Sequence, residues 1–198
     1  WALPLIALSG VRLDVRGAEH LRGRAGRVIT FNHNSYADAF FIAAIAPTHF
    51  VPLVKREFQW VPVLGLGFWA IGCRFVRRGS SKAALRAVTE VAEWLQSQRY
   101  SAFVAPEGTR SKTGELGPFK RGAILMAQRS GVPLVPVVIH DARRIMRPGD
   151  WRVGRGVIRI DIHPPRYLAP DSDTKAETRR LRDDYLGWIR PTNESSAG

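Results

Sequence analysis

Arg27-Val28-Ile29-Thr30-Phe31, followed at once by Asn32-His33-Asn34-Ser35-Tyr36-Ala37-Asp38, is the stretch on which the fold turns. Its first five residues are a β-branched and aromatic run of strand length. The polar residues behind them break the strand, and Asp38 stands where the first turn of a helix would carry a negative charge. Outward from this junction the alternation repeats. Strands are expected at 11–15, 27–31, 50–54, 74–76, 101–105, 134–140 and 157–163. Helices are expected at 81–98, where Ala84, Val88, Val91 and Leu95 share one face, at 122–129, stopped by Gly131, and at 176–189, striped by Leu181, Tyr185 and Trp188. Strand–helix alternation of this kind predicts a layered α/β fold with a mostly parallel β-sheet flanked by helices.

With 198 residues, no repeat and no internal linker, the chain reads as a single domain over 1–198. Residues 191–198 read as a flexible tail. Thirty basic residues stand against 17 acidic ones, a net charge of +13, which calls for an anionic partner: nucleic acid, a phosphorylated small molecule or an anionic membrane face. A single cysteine, Cys73, excludes an internal disulfide. The uncharged opening at residues 1–10 is read either as the end of a longer membrane-anchoring segment or as a buried strand or helix end. Residues 58–72 carry no charge and are crowded with aromatic and aliphatic side chains. They are too few to span a bilayer, which needs about 20. The tryptophans, and the flanking Lys55, Arg56, Arg74, Arg77 and Arg78, suit a segment lying at a membrane interface; a buried core helix is the other reading.

Histidine is the natural general base near neutral pH, and a carboxylate on its far ring nitrogen would fix its tautomer. Residues five apart on a continuous helix point about 140° away from each other. His33 and Asp38 therefore meet only if His33 lies in the turn and Asp38 in the first helical turn. A helix-end charge beside an ordinary loop histidine accounts for the same residues, so this stretch alone does not decide. A second segment, Val104-Ala105-Pro106-Glu107-Gly108-Thr109-Arg110-Ser111, leaves another strand end, the edge where α/β folds bind ligands. Gly108 allows close backbone approach, and Arg110 offers a planar fork matched to phosphate oxygens. Glu107 would accept from a glycerol hydroxyl or orient Arg110.

Together these segments resemble the glycerolipid acyltransferase family, whose best-known bacterial member is 1-acylglycerol-3-phosphate acyltransferase. That family carries N-H-x-x-x-x-D, G-x-x-F-[IV]-x-R, F-P-E-G-T-R-S and V-P-[IV]-[VI]-P-V in order. This chain has Asn32-His33 through Asp38, Gly72-Cys73-Arg74-Phe75-Val76-Arg77-Arg78, Pro106 through Ser111, and Val132-Pro133-Leu134-Val135-Pro136-Val137. Phe119-Lys120-Arg121-Gly122-Ala123 is similar to the stretch that follows the third motif. Ala105 stands where the family has phenylalanine, and Arg74 and Arg77 replace isoleucine and aspartate, which leaves the acceptor open.

The resemblance implies a glycerol-3-phosphate acyltransferase-like fold and direct acyl transfer, giving phosphatidic acid from 1-acylglycerol-3-phosphate. His33, oriented by Asp38, would deprotonate the acceptor hydroxyl. Lys55, Arg78, Glu107, Gly108, Thr109 and Arg110 would hold the glycerol-phosphate head. The acyl donor would be acyl-CoA or acyl-carrier protein as co-substrate, with no cofactor and no metal. The same chemistry on glycerol-3-phosphate, another lysophospholipid or a glycolipid is the neighbouring reading. The expected partners are a lysophospholipid, the acyl donor and an anionic membrane surface, with the protein membrane-associated at the cytoplasmic face of the cell membrane. A nucleic-acid-binding module would rest on charge alone, without any helix-turn-helix, zinc-finger or RNA-binding signature, so nucleic acid is not an expected partner.

Other patterns are weaker. Gly65-Leu66-Gly67-Phe68-Trp69-Ala70 matches a dinucleotide glycine pattern but lacks the acidic residue about 20 positions later. Gly79-Ser80-Ser81-Lys82-Ala83 approaches a nucleophile elbow that would need Asp161 and His163 as separate arms. Those two lie on one strand face, and a helix cap is the simpler account. Cys73 reads as a structural thiol.

Overall fold

The computed structural model describes residues 2–23, 25–47, 50–55, 59–60, 74–76, 81–98, 100–111, 113–146 and 152–189. Arg78, Cys73, the glycine pattern at 65–70, most of 58–72 and the tail at 191–198 lie outside the described residues, as do the side chains of Lys55 and Arg74.

The elements run α1 (Ala2–Leu8), β1 (Val11–Arg16), a 3-10 turn (Ala18–Leu21), β2 (Arg27–Phe31), α2 (Asp38–Ile45), β3 (Phe50–Lys55), β4 (Arg74–Val76), α3 (Ser81–Gln98), β5 (Ser101–Val104), α4 (Gly122–Ser130), β6 (Leu134–Ile139), α5 (Ala142–Ile145), β7 (Gly156–Ile162) and α6 (Thr174–Trp188). The strands form one seven-stranded sheet in the order β1-β7-β6-β2-β5-β3-β4. Every neighbouring pair is parallel except β6 and β7, so the expected mostly parallel sheet holds.

β2 sits near the middle, and its apolar run is buried on both faces. Period-two alternation sends its side chains to opposite layers. Ile29 joins a core with α1, α2 and α5, whereas Val28 joins one with α3, α4 and α6. Along α3, Val88, Val91 and Leu95 are buried, as their spacing required. Tyr185 of α6 is fully buried beneath the sheet. Its hydroxyl donates to the Val137 carbonyl at 3.1 Å, accepts from the Val137 N–H at 3.2 Å and lies 3.0 Å from Thr30 Oγ1. Burial pushes the pKa of this phenol up.

Three strand ends, at Ala105, His140 and His163, fall one residue short of expectation. Ala105 leaves β5 because its carbonyl accepts from Gly108 N–H at 3.0 Å, which starts the turn. His140 leaves β6 as the chain enters Asp141, whose φ of 56° is the one positive value among the described non-glycine residues. The opening apolar residues form α1, which buries Ile6 while Leu8 is 85% exposed. A helix end was one of the readings of the opening residues, whereas α5 was not foreseen, since four residues are too few to display a helical period.

Candidate active site

β6, β2 and β5 are parallel neighbours, so their C-terminal ends share one edge of the sheet. Thr30 is level with Val104, and Phe31 with Val137. The residues leaving β2 and β5 therefore start side by side.

The turn after β2 is closed on itself. Asp38, the first residue of α2, is fully buried. Its Oδ2 accepts from His33 Nδ1 at 2.8 Å, from Asn34 N–H at 2.8 Å and from Ser35 N–H at 2.9 Å. A carboxylate oxygen surrounded by donors puts the ring proton on Nδ1 and leaves the Nε2 lone pair for chemistry. The His33 side chain is 26% exposed, enough to meet a substrate. Asn32 clips the turn to β6, donating from Nδ2 to the Ile139 carbonyl at 2.9 Å and accepting from Ile139 N–H at 2.8 Å. Ser35 Oγ donates to the Met146 carbonyl at 2.6 Å and accepts from Ala37 N–H at 3.0 Å. Phe31 packs edge-on against the His33 ring, 5.6 Å between centroids.

The turn after β5 is tied to the first through the His33 peptide groups. His33 N–H donates to Glu107 Oε1 at 2.9 Å, and Ser111 N–H donates to the His33 carbonyl at 2.9 Å. Glu107 Oε2 accepts from Gly117 N–H at 3.0 Å, and the residue is buried. Its carboxylate thus holds main chain on both sides. The expected pairing with Arg110 is not what orients that side chain; the Arg110 guanidinium lies 3.8 Å over the Tyr36 ring. Gly108 has a φ of +73°, and a Cβ added there would stand 2.7 Å from Lys120 Nζ. Lys120 N–H in turn donates to the Pro106 carbonyl at 2.7 Å.

Of the residues singled out, His33, Asp38, Glu107, Gly108, Thr109 and Arg110 come together at this edge. Lys55 ends β3, whose parallel pairing with β5 directs its backbone to the same edge. Asp161 and His163 do not act as a pair. Asp161 Oδ2 is 2.8 Å from His140 Nε2, and the His163 ring stacks on Trp188. Burial pushes the His140 pKa down, so its ring stays neutral, donating to Asp161 and accepting from Arg159 at 3.2 Å. Asn32, Ser35 and Gly117 are parts of the site that residue chemistry alone did not mark; Asn32 and Ser35 act on main chain 107 and 111 residues away, and Gly117 acts through its own N–H. The arrangement offers an oriented base with a free ring nitrogen beside a cationic, glycine-containing turn, which suits deprotonation of an alcohol on an anionic substrate.

A family model described as "Acyltransferase" matches residues 12–140, more than half of the chain. The 1-acyl-sn-glycerol-3-phosphate acyltransferase alpha of Homo sapiens is 34% identical over 194 residues, covering 96% of this chain and 68% of that protein. The Mus musculus protein of the same name is 36% identical over 195 residues, with the same coverage of 96% and 68%. The 1-acyl-sn-glycerol-3-phosphate acyltransferase of Limnanthes alba is 33% identical over 185 residues, covering 93% of this chain and 63% of its own length. The crystal structure of the 1-acyl-sn-glycerophosphate acyltransferase from Thermotoga maritima matches with a TM-score of 0.80 at 21% identity, over 98% of this chain and 77% of that one, a likeness of fold.

Proposed function

This chain belongs to the acyltransferase family and is an O-acyltransferase, and from that premise we propose that it acylates the free hydroxyl of 1-acylglycerol-3-phosphate, forming phosphatidic acid. His33 Nε2 takes the hydroxyl proton as the oxygen attacks the carbonyl carbon of an acyl thioester. The tetrahedral intermediate collapses by breaking the carbon–sulfur bond, and the departing thiolate takes the proton from His33. Asp38 holds the ring and stabilises the imidazolium between these steps. No acyl-enzyme forms, and no cofactor is needed beyond the thioester, carried by CoA or by acyl-carrier protein. Arg110, with Gly108 and Thr109, binds the phosphate, and Lys55 and Arg78 add charge to the same site. Glu107 acts by holding the two turns in place.

The observation that supports this reading best is the pair of hydrogen bonds at the His33 peptide groups, one donated to Glu107 and one accepted from Ser111 N–H. They set the base beside the cationic turn, and positioning of this kind supplies several kcal/mol of barrier lowering. Membrane contact belongs to the same reading. α1 carries no charge and packs against α2, and Leu8 and Phe40 are exposed there. The expected surface is the cytoplasmic face, where acyl thioesters are available.

The test is acyl transfer by purified protein in detergent, with products identified by mass spectrometry. Lysophosphatidate plus an acyl thioester gives phosphatidate, and His33→Ala lowers the rate by roughly 10²–10⁴-fold. Undiminished transfer by that variant would remove histidine from the chemistry. Arg74 and Arg77 favour a second reading, in which another phosphorylated acceptor is used. Glycerol-3-phosphate, other lysophospholipids and glycolipids assayed side by side separate the two.

A further inference from the structure

Two side chains without an assigned role converge on the 106–111 turn. Tyr36 lies inside the turn that carries His33, and its ring faces the Arg110 guanidinium at 3.8 Å. A stacked guanidinium keeps its N–H donors in plane, directed away from the ring, and gives up little further freedom when it binds an anion. Lys120 returns to the same turn through its N–H bond to the Pro106 carbonyl at 2.7 Å. Its side chain then crosses Gly108, with Nζ 2.7 Å and Cε 2.9 Å from where a Cβ would stand. The φ of +73° favours glycine at 108, and the absence of a Cβ leaves the space that the Lys120 side chain occupies.

Among the described residues, no carboxylate is ion-paired with Arg110 or Lys120. Glu107, the buried acid of the 106–111 turn, accepts from two main-chain N–H groups. Arg110 within the turn and Lys120 laid against its Gly108 thus give it two cationic side chains. A phosphate monoester, with about −1.5 to −2 charge at pH 7, matches them better than a diester with a single charge.

We propose that Tyr36 and Lys120 complete the headgroup site and make it selective for phosphate monoesters, Tyr36 as the platform that positions Arg110 and Lys120 as a second cation on the phosphate. The inference rests on the acceptor reading above and deepens it.

The experiment compares kcat and KM for lysophosphatidate, a monoester, and lysophosphatidylcholine, a diester, in wild type, Tyr36→Phe, Tyr36→Leu and Lys120→Gln. Tyr36→Leu and Lys120→Gln are expected to raise KM for the monoester roughly tenfold, the loss of one charged hydrogen bond. Their kcat stays within about twofold of wild type, and the preference for monoester over diester narrows. Tyr36→Phe keeps the aromatic face and with it the wild-type KM. Lys120 is exposed, so Lys120→Gln reports on binding even if a Tyr36 variant folds poorly. An unchanged monoester KM in Lys120→Gln removes that cation from the site, and identical behaviour of Tyr36→Leu and Tyr36→Phe removes the platform. Wild-type protein that acylates neither acceptor overturns the acceptor reading and this inference with it; active wild type with unaltered variants overturns the inference alone.

Discussion

The two turns that meet at the sheet edge are built on opposite plans. The 32–38 turn is closed, with a fully buried carboxylate, three donors on one of its oxygens, and side-chain clips to Ile139 and Met146. The 106–111 turn is open. Thr109 is exposed and Arg110 half-buried, and the turn is anchored from beneath by Glu107. A base that moves a proton must be held to within a fraction of an ångström, because small misplacement is costly in rate. A headgroup site must stay wet and reachable until its ligand arrives. Substitutions at the buried and hydrogen-bonded residues of the closed turn should therefore act on kcat, and those in the open turn, together with Tyr36 that stacks on its Arg110, on acceptor KM.

The largest effect beyond removal of His33 itself is expected for Asp38→Asn. An amide in place of the carboxylate no longer favours the proton on Nδ1, and kcat should fall roughly 10²–10³-fold with acceptor KM little changed. A change confined to KM would erase the distinction between the turns. Glu107→Gln comes next. The amide can accept from only one of its two main-chain donors, so kcat should drop about tenfold and the thermal midpoint should fall. If acceptor KM moved while kcat and the melting midpoint did not, Glu107 would instead touch the acceptor. Arg110→Lys keeps the charge but loses the planar fork and the stacking on Tyr36. Acceptor KM should rise roughly tenfold at near-constant kcat, a split read from saturation curves in each substrate. Gly108→Ala should be the mildest in rate but visible in stability. A side chain at φ +73° costs about 1–2 kcal/mol in denaturant melts and displaces Lys120. Unchanged stability and unchanged KM together would show that the turn relaxes freely.

Much of this molecule was readable before any coordinates. Parallel strands buried on both faces appear as short continuous apolar runs, and the run at Arg27–Phe31 was found residue for residue. The amphipathic α3 was equally plain, because eighteen residues display a full helical period. Among the catalytic candidates, His33 and Asp38 were legible because their contact is local and needs only a strand that ends in a helix. Glu107 was legible as a residue but not in its role. Its partner is the His33 main chain, 74 positions away, and a backbone N–H leaves no mark on residue identity. The antiparallel placement of β7 and the Asp161–His140 contact escaped for a similar reason, since strand order is set by how layers close around two cores.

Periodicity, turn chemistry and motif order thus sufficed for the layered fold, the acyltransferase family and the contact of His33 with Asp38, since each is a property of near neighbours along the chain. Which oxygen of Asp38 and Glu107 meets which donor, that Tyr36 rather than Glu107 carries Arg110, and that Lys120 crosses Gly108 are outcomes of packing. They depend on two parallel strand ends being set side by side, and the alignment of β2 with β5 is a long-range pairing that no local pattern encodes.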